Sequence, residues 1–439
     1  MINVEIRNIQ EISKQRLCVG CGTCTVICPT NAIKICLNDR GFHEAVVDNS
    51  KCTECKLCLE VCPSHVIDFD EMNNFVFNRR ASDDLIGNYM RFYVGHAKGN
   101  SIYQSGQSGG LITALLAFAL EKGFIDGAVV TKMAEPEPLR PKVVIAKNKE
   151  ELLSTTRSKY CSAPVNMKIK EILKRDEKFA VVGLPCQIYA LRNLERLMPQ
   201  LKDKIILHMG LFCSHVLSLN VIGFLSYKAG FQKEDIVKFD YRAKEWRGWP
   251  GDVLFKLKNG TTKFLPRNYR MLTKNFFIPW RCKMCYDHLN EFADISFGDA
   301  WLPEVVKHRK GETIVITRTE KGESLIQKAK EEGVIEAKEA SRTTLMQAQK
   351  RSITKKKNWL EANLYVAKLF GRAIPNYYVK YPKSTTSQIF QSIWDYMNSQ
   401  IPHSKLTYFF LKNIPLPLLK GYLKANNLMS RVISFILSE

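Results

Sequence analysis

The chain has 439 residues, 45% hydrophobic and 25% charged, an ordinary globular composition that excludes a disordered or collagen-like chain. Its longest apolar run, 111–120, falls well short of the ~20 residues a membrane span needs. The N-terminal residues carry no apolar signal segment, so a cytoplasmic protein of two or three domains is expected. The formal net charge is +22, and residues 341–439 hold 15 Lys and Arg against 3 Asp and Glu. Such a charge suits an acidic partner, an anionic substrate or an acidic membrane surface, and a solvated helical face explains it equally. No nucleic-acid-binding motif accompanies it, so no nucleic-acid partner is expected.

Residues 1–75 read as a small cysteine-rich module with little long-helix signal, and nine of the 14 cysteines fall within it. In a chain with no export signal, clustered cysteine points to metal or redox chemistry rather than disulfides. Cys18-x2-Cys21-x2-Cys24-x3-Cys28-Pro29 is followed by Cys52-x2-Cys55-x2-Cys58-x3-Cys62-Pro63, the spacing of a bacterial two-cluster ferredoxin. Three thiolates two residues apart wrap one face of an iron–sulfur cube. The fourth, displaced along a helix, reaches the other cube. Cys18, Cys21, Cys24 and Cys62 are therefore expected on one 4Fe-4S cluster, and Cys28, Cys52, Cys55 and Cys58 on the other. Gly20 and Gly22 keep the first loop slim, so that backbone N–H groups can approach sulfur. Zinc knuckles usually lack the third x2 step and the closing Cys-Pro. Cys36 lies outside the motif on an apolar stretch and is read as packing.

A connector over 76–95 leads into alternating strands and helices from 96 to 335. A helix is expected from an N-cap at Ser108, through Gly109-Gly110 and the apolar face of 111–120, to a stop at Gly123. Strands are expected at 128–130, 142–146, 179–184 and 204–212. The third of these runs into the turn Pro185-Cys186-Gln187 and a helix to about Leu197. Residues 252–266 read as a hairpin with Asn259-Gly260 at its tip, and 293–298 and 313–318 as short apolar strands. The expected core is α/β, with ligands at the carboxyl ends of its strands. Residues 336–439 read as a basic helical extension with an apolar end at 433–439.

Five cysteines remain: Cys161, Cys186, Cys213, Cys282 and Cys285. Cys186 and Cys213 each follow an apolar strand, and so can stand at one edge of a sheet. With the Cys282-x2-Cys285 pair they offer four thiolates to a third cluster, but buried core cysteines and a zinc half-site fit the spacing too. Neither a dinucleotide fingerprint nor a P-loop occurs. The candidate anion site is the helix start at Gln107-Ser108-Gly109-Gly110, which a plain capped helix also explains.

The segments GLITALLAFALEKGFIDGAVV, SKYCSAP, VGLPCQIYALRNLE, CKMC, ADISFGDAW and TIVITRTEKGESLI resemble the family of coenzyme F-420 hydrogenase/dehydrogenase beta subunits, over about 96–335. The resemblance implies an α/β flavin-binding domain behind the ferredoxin module. It places a third 4Fe-4S cluster on Cys186, Cys213, Cys282 and Cys285, beside FAD, and leaves Cys161 incidental. It puts an FAD-binding loop at Ser108, Gly109 and Gly110, with Ser158, Lys159, Tyr160, Pro185, Cys186 and Gln187 lining the ring and Arg318 reaching a phosphate. The implied activity is electron transfer between reduced deazaflavin (coenzyme F-420) and an acceptor through FAD and three clusters, with a redox partner protein or subunit. A flavin suits this chemistry on physical grounds as well, because it couples a two-electron hydride to one-electron clusters. Two alternatives stay open: a ferredoxin-fed flavin reductase of an organic substrate, and an electron-transfer subunit without catalysis. The match is weakest at 241–252 and 297–304, where a substrate would be chosen. There Trp246 and Trp249 are candidates for stacking on a flat ring and Arg247 for a phosphate, or else they are core aromatics beside a turn. The basic tail is a candidate for contact with an acidic membrane surface or a partner subunit, or is a cap packed on the core.

Overall fold

The structure, a computed structural model, describes residues 6–134, 139–422, 424, 425 and 428. The apolar end at 433–439 lies outside them. The N-terminal module is built on an antiparallel hairpin, β1 (Ile33–Leu37) and β2 (His43–Val47), with a short β3 (Val66–Asp68). Its first cysteine loop turns at Gly20 and Gly22, with φ of +66° and +88°, conformations that favour glycine. A Cβ at Gly22 would stand 2.5 Å from Met167 Cγ, so the loop seats directly on the next domain. Cys36 is exposed on β1 rather than packed.

Eight strands form the central sheet: β4 (Arg91–Ala97), β5 (Gly127–Met133), β6 (Pro141–Ala146), β7 (Phe179–Gly183) and β8 (Ile205–Leu211), then three from further along the chain. Between the two sets, β9 (Ile236–Ala243), β10 (Asp252–Leu257) and β11 (Thr262–Leu265) make a separate three-stranded antiparallel sheet. The central sheet is completed by β12 (Ile295–Asp299), β13 (Thr313–Thr317) and β14 (Ile335–Ala340). Its order is β14-β4-β13-β12-β8-β7-β5-β6, with β5, β7, β8 and β12 parallel. Phe179, Ala180 and Val181 on β7 are all inaccessible to solvent, as expected of a parallel strand covered on both faces. β4 runs antiparallel to β13, which runs antiparallel to β12, so β4 and β12 end on the same edge.

The helix expected from Ser108 begins instead at Leu111, with Gly110 as N-cap at φ +74°. Ser108 is released from capping because its hydroxyl is held by a carboxylate, as described below. The tail is no detached extension. Its strand β15 (Asn376–Tyr378) pairs in parallel with β3 of the ferredoxin module, and Leu360, Leu364 and Ala367 share a core with Ile9, Ile12 and Phe69. No helix among the described residues is long and apolar enough to cross a membrane.

A buried ionic cluster ties the helix Pro185–Leu197 to the sheet. Arg192 reaches Glu195 at 3.0 Å and Asp294 at 3.4 Å, and His208 on β8 lies 2.7 Å from Glu195 and 3.1 Å from Asp294. Burial pushes the Glu195 carboxyl up, but His208 and Arg192 outweigh it and bring it down to about 2, from an ordinary 4.5. A carboxylate depressed on folding stabilises the fold above its unfolded value, and that stabilisation is lost as pH falls through the folded value. The melting temperature should therefore fall as pH drops from 4.5 toward 2. In Glu195→Gln that slope should flatten, and at neutral pH the variant should lose about 3–5 kcal/mol, the usual cost of breaking a buried ion pair. Thermal melts of both proteins across this range check it.

Candidate functional site: cysteine groups and an anion pocket

The eight ferredoxin cysteines fall into two groups. Cys24 is raised by burial and then by the neighbouring charges of Cys21, Cys18, Cys62 and Cys58. Cys62 is raised by burial, Cys21 and Cys18. The module thus brings Cys62 back to the first loop, as the spacing requires. Gly20 N–H and the Thr23 hydroxyl donate to Cys18 and Cys21 sulfur, each at 3.4 Å. Cys28, Cys52, Cys55 and Cys58 line one cleft of about 340 Å³, with Ala32 N–H donating to Cys28 at 3.3 Å and Asn8 to Cys52 at 3.7 Å. Such N–H donors stabilise thiolate charge. Among the described residues no three His, Cys, Asp or Glu side chains are gathered to hold a single metal ion; a four-iron cube spreads its ligands over its corners.

The scattered cysteines also converge. Cys186 is the second residue of the helix Pro185–Leu197, Cys213 follows β8, and Cys282 and Cys285 flank the end of a short helix, Trp280–Lys283. The Cys186 thiol is pushed up by burial and then by Cys285, Cys213, Cys21 and Cys282. Four half-buried thiols from three elements thus share one locus, and buried Cys21 of the ferredoxin module adjoins it. Asn166 joins the two loops: its N–H donates to Cys21 O at 3.0 Å, and its amide donates to Thr23 and to Gln187 O, both at 2.8 Å. Arg281 stands between the two groups. It is buried, donates to Pro63 O at 2.7 Å and Ser64 Oγ at 3.0 Å, and is held protonated by Tyr377, Cys285, Cys186 and Cys282 against burial.

A polar pocket lies at the shared edge where β4 and β12 end, as the carboxyl-edge rule for α/β sheets expects. Gly109 joins this edge: its N–H donates to Thr313 Oγ1 at 3.0 Å and its carbonyl accepts from Ala97 N–H at 2.7 Å. A Cβ there would stand 2.3 Å from Gly95 O. Asp299 is the centre. It accepts from Ser108 Oγ, from Trp249 Nε1 at 3.2 Å and from Arg242 Nη1 at 2.7 Å. Burial pushes Asp299 up, but Arg242, Ser108 and Trp249 outweigh it and hold it ionised. Arg242 also donates to Tyr160 OH at 3.1 Å, and Arg270 sits over the Tyr160 and Tyr241 rings.

This pocket is over-supplied with positive charge. Burial, then Arg270 and Arg242, bring Lys274 down to about 8. Arg242 Nη2 and Arg270 Nε are buried with no hydrogen-bond partner. Buried orphan donors beside excess cation cost free energy unless an anion completes them, so the residues present fit a pyrophosphate. The pocket connects to the scattered cysteines through three contacts. Gln349 donates to Asp299 O at 2.6 Å, its Oε1 meets His288 Nε2 at 3.1 Å, and His288 O accepts from Cys213 N–H at 2.9 Å.

Of the ring- and phosphate-binding candidates, Ser108, Gly109 and Tyr160 lie in this pocket. Gly110 caps the adjoining helix, Pro185 begins the helix that carries Cys186, and Ser158 is half-buried in the loop before Tyr160. Three others are spent elsewhere. Lys159 Nζ caps the carbonyls of Thr155, Thr156 and Arg157. Gln187 donates to Ala163 O at 2.7 Å and accepts from Leu184 N–H at 2.8 Å. Arg318 is fully buried, with four of its five N–H donors spent on Ser296 Oγ and on the carbonyls of Ile86, Asn88 and Leu289. Of the aromatic candidates, Trp249 is buried against Asp299, whereas Trp246 is exposed and Arg247 pairs with Asp252 at 2.8 Å. Arg242, Arg270 and Asp299 were not legible in local spacing, because they meet only through the fold.

The family profile described as coenzyme F420 hydrogenase/dehydrogenase, beta subunit N-term, matches residues 92–170, and its C-terminus counterpart matches 176–343. Together they span more than half of the chain. It belongs to this family. A 4Fe-4S dicluster domain profile matches residues 17–66, so the family core is joined to an iron–sulfur module. A coenzyme F420-dependent sulfite reductase of Methanocaldococcus jannaschii is 30% identical over 327 residues, which cover 71% of this chain but 46% of that protein. One F(420)H(2) dehydrogenase subunit, that of Methanosarcina mazei, is 28% identical over 325 residues, 71% of this chain and 82% of that one. A chain of the F420-reducing NiFe hydrogenase complex from Methanosarcina barkeri shares the fold, with TM-score 0.52 and 24% identity over 67% of this chain and 98% of its own.

Proposed function

We propose that the protein is an iron–sulfur flavoprotein that moves electrons between coenzyme F420 and an acceptor, using FAD and three 4Fe-4S clusters. The observation that carries this is the link from the Asp299 pocket through Gln349 and His288 to Cys213. A bound flavin supplies the exchange between a two-electron hydride and single electrons. Arg242, Arg270 and Lys274 hold its pyrophosphate, Ser108 fixes Asp299 beside them, the slim Gly109 lets the chain approach, and Tyr160 borders its ring. Cys186, Cys213, Cys282 and Cys285 hold the cluster beside it. Cys18, Cys21, Cys24 and Cys62 hold the next, and Cys28, Cys52, Cys55 and Cys58 the outermost. Arg281 keeps a positive charge between the first two, which favours an added electron on either. The outermost group stands in an open cleft, within reach of a redox partner or partner subunit. Exposed Phe409 and Phe410 between Lys405 and Lys412 support a peripheral contact of the tail with an acidic membrane surface.

Anaerobically purified protein should bind about twelve irons and one FAD, and reduced F420 should bleach the flavin absorbance. A flavin-replete protein left oxidised by that donor would exclude it. Turnover of an organic substrate driven by reduced ferredoxin would then assign the reverse role.

A further inference from the structure

A second cleft, lined by neither Asp299 nor Arg242, opens where the ferredoxin module, the Pro279–Trp280 segment and the tail meet. Its lining includes Arg16, Arg40, Arg372, Trp280, His403 and Cys18. Of these, only Cys18 belongs to the proposed electron path. Three arginines from three separate segments face one space, and the one carboxylate among its described lining residues is Glu44, 3.9 Å from Arg40. Arg40 is half-buried and is lowered by burial and by the neighbouring Arg16. Trp280 Nε1 and His403 Nδ1 are buried with no hydrogen-bond partner. Burial, with Arg40, Arg16 and Arg372, brings His403 down to about 4, so it adds a neutral ring rather than a fourth charge.

Arg16 gives an independent sign. It follows the C-cap of the first helix at φ 61°, a left-handed position where glycine is usual. An arginine kept in an unfavourable backbone conformation, beside two like charges, points to a ligand that repays both. The arginines line a recess folded from separate segments rather than a flat face, and guanidinium forks match carboxylate and phosphate oxygens.

We infer that this cleft binds a small, multiply charged anion bearing carboxylate or phosphate groups, held by Arg16, Arg40 and Arg372 against Trp280. The tail, by supplying Arg372 and His403, completes the site. The inference stands on this geometry and does not depend on the flavin reading.

Titration calorimetry of the full chain, saturated with FAD and at low ionic strength, tests it with pyrophosphate and with citrate as separate probes. Saturable one-to-one binding of at least one probe is expected. Arg16→Gln, at an exposed position that leaves the fold intact, should weaken it at least tenfold, as should Arg372→Gln, while Arg267→Gln outside the cleft should not. Pyrophosphate binding alone assigns a phosphate ester, citrate alone a polycarboxylate, and both the shared anion chemistry. No saturable binding of either probe, or affinities untouched in Arg16→Gln and Arg372→Gln, overturns the inference. So does an outcome in which neither anion binds but both variants alter the salt dependence of electron exchange with an acidic ferredoxin, which would make the cleft a protein dock.

Discussion

Replacing Cys213 with serine should lower bound iron from about twelve atoms per chain to about eight, with FAD still bound. Cys213 is one of four half-buried thiols gathered at a single locus, and desolvation raises Cys186, Cys213 and Cys282 above the ordinary thiol value. Thiols so buried are poor ligands unless a metal compensates the thiolate charge, and a cluster with three protein ligands in a protein-lined cavity is readily lost. The ferredoxin groups have their own ligands and their own N–H donors, so they should survive. Iron quantitation with flavin release on the same sample checks both halves. Serine at Cys36, which is exposed on β1, should change neither number.

Arg242→Gln should weaken FAD binding by roughly a hundredfold or more, using about 3–5 kcal/mol for the loss of one partner from a buried, hydrogen-bonded charge pair. The side chain bridges Asp299 at 2.7 Å and Tyr160 at 3.1 Å, and a further nitrogen is unpartnered. Removing it leaves Asp299 as an unpaired negative charge where an anion must bind. Asp299→Asn should behave differently. It removes the buried charge while retaining a similar shape, so stability should drop less and FAD affinity should fall through misplacement of Arg242 and Ser108. Flavin fluorescence titrations and melts of the two variants separate these effects.

The ferredoxin half was legible because its chemistry is written as local spacing. Two-residue steps and a closing Cys-Pro mark a 4Fe-4S dicluster domain without knowledge of the fold, as the matching profile over 17–66 bears out. The parallel strands β5, β7, β8 and β12 were legible for a similar reason, as short apolar runs. β4 and β14 were missed because polar residues break their apolar runs, Arg91 and His96 toward the two ends of the first and Glu336 and Lys338 on one face of the second. The pocket was half legible. Ser108 and Tyr160 do lie in it, but the hydroxyl of Ser108 serves Asp299 rather than a helix end. Arg242 and Asp299 are 57 residues apart and meet only because β9 and β12 end near one another. Lys159 and Arg318 failed as ligand contacts for one reason: a buried cation first satisfies itself on backbone carbonyls, and nothing in sequence spacing shows which carbonyls lie in reach. The tail's strand pairing with β3 was equally hidden, since three residues of β15 carry no pattern of their own.

The most direct test of the account is rapid mixing of reduced F420 with FAD-loaded protein under anaerobic conditions, following flavin and cluster absorbance separately in the wild type and in Cys213→Ser. The account predicts that the flavin is reduced in both proteins, while the ferredoxin clusters are reduced promptly in the wild type alone. Ferredoxin clusters that are reduced equally fast in Cys213→Ser would contradict it.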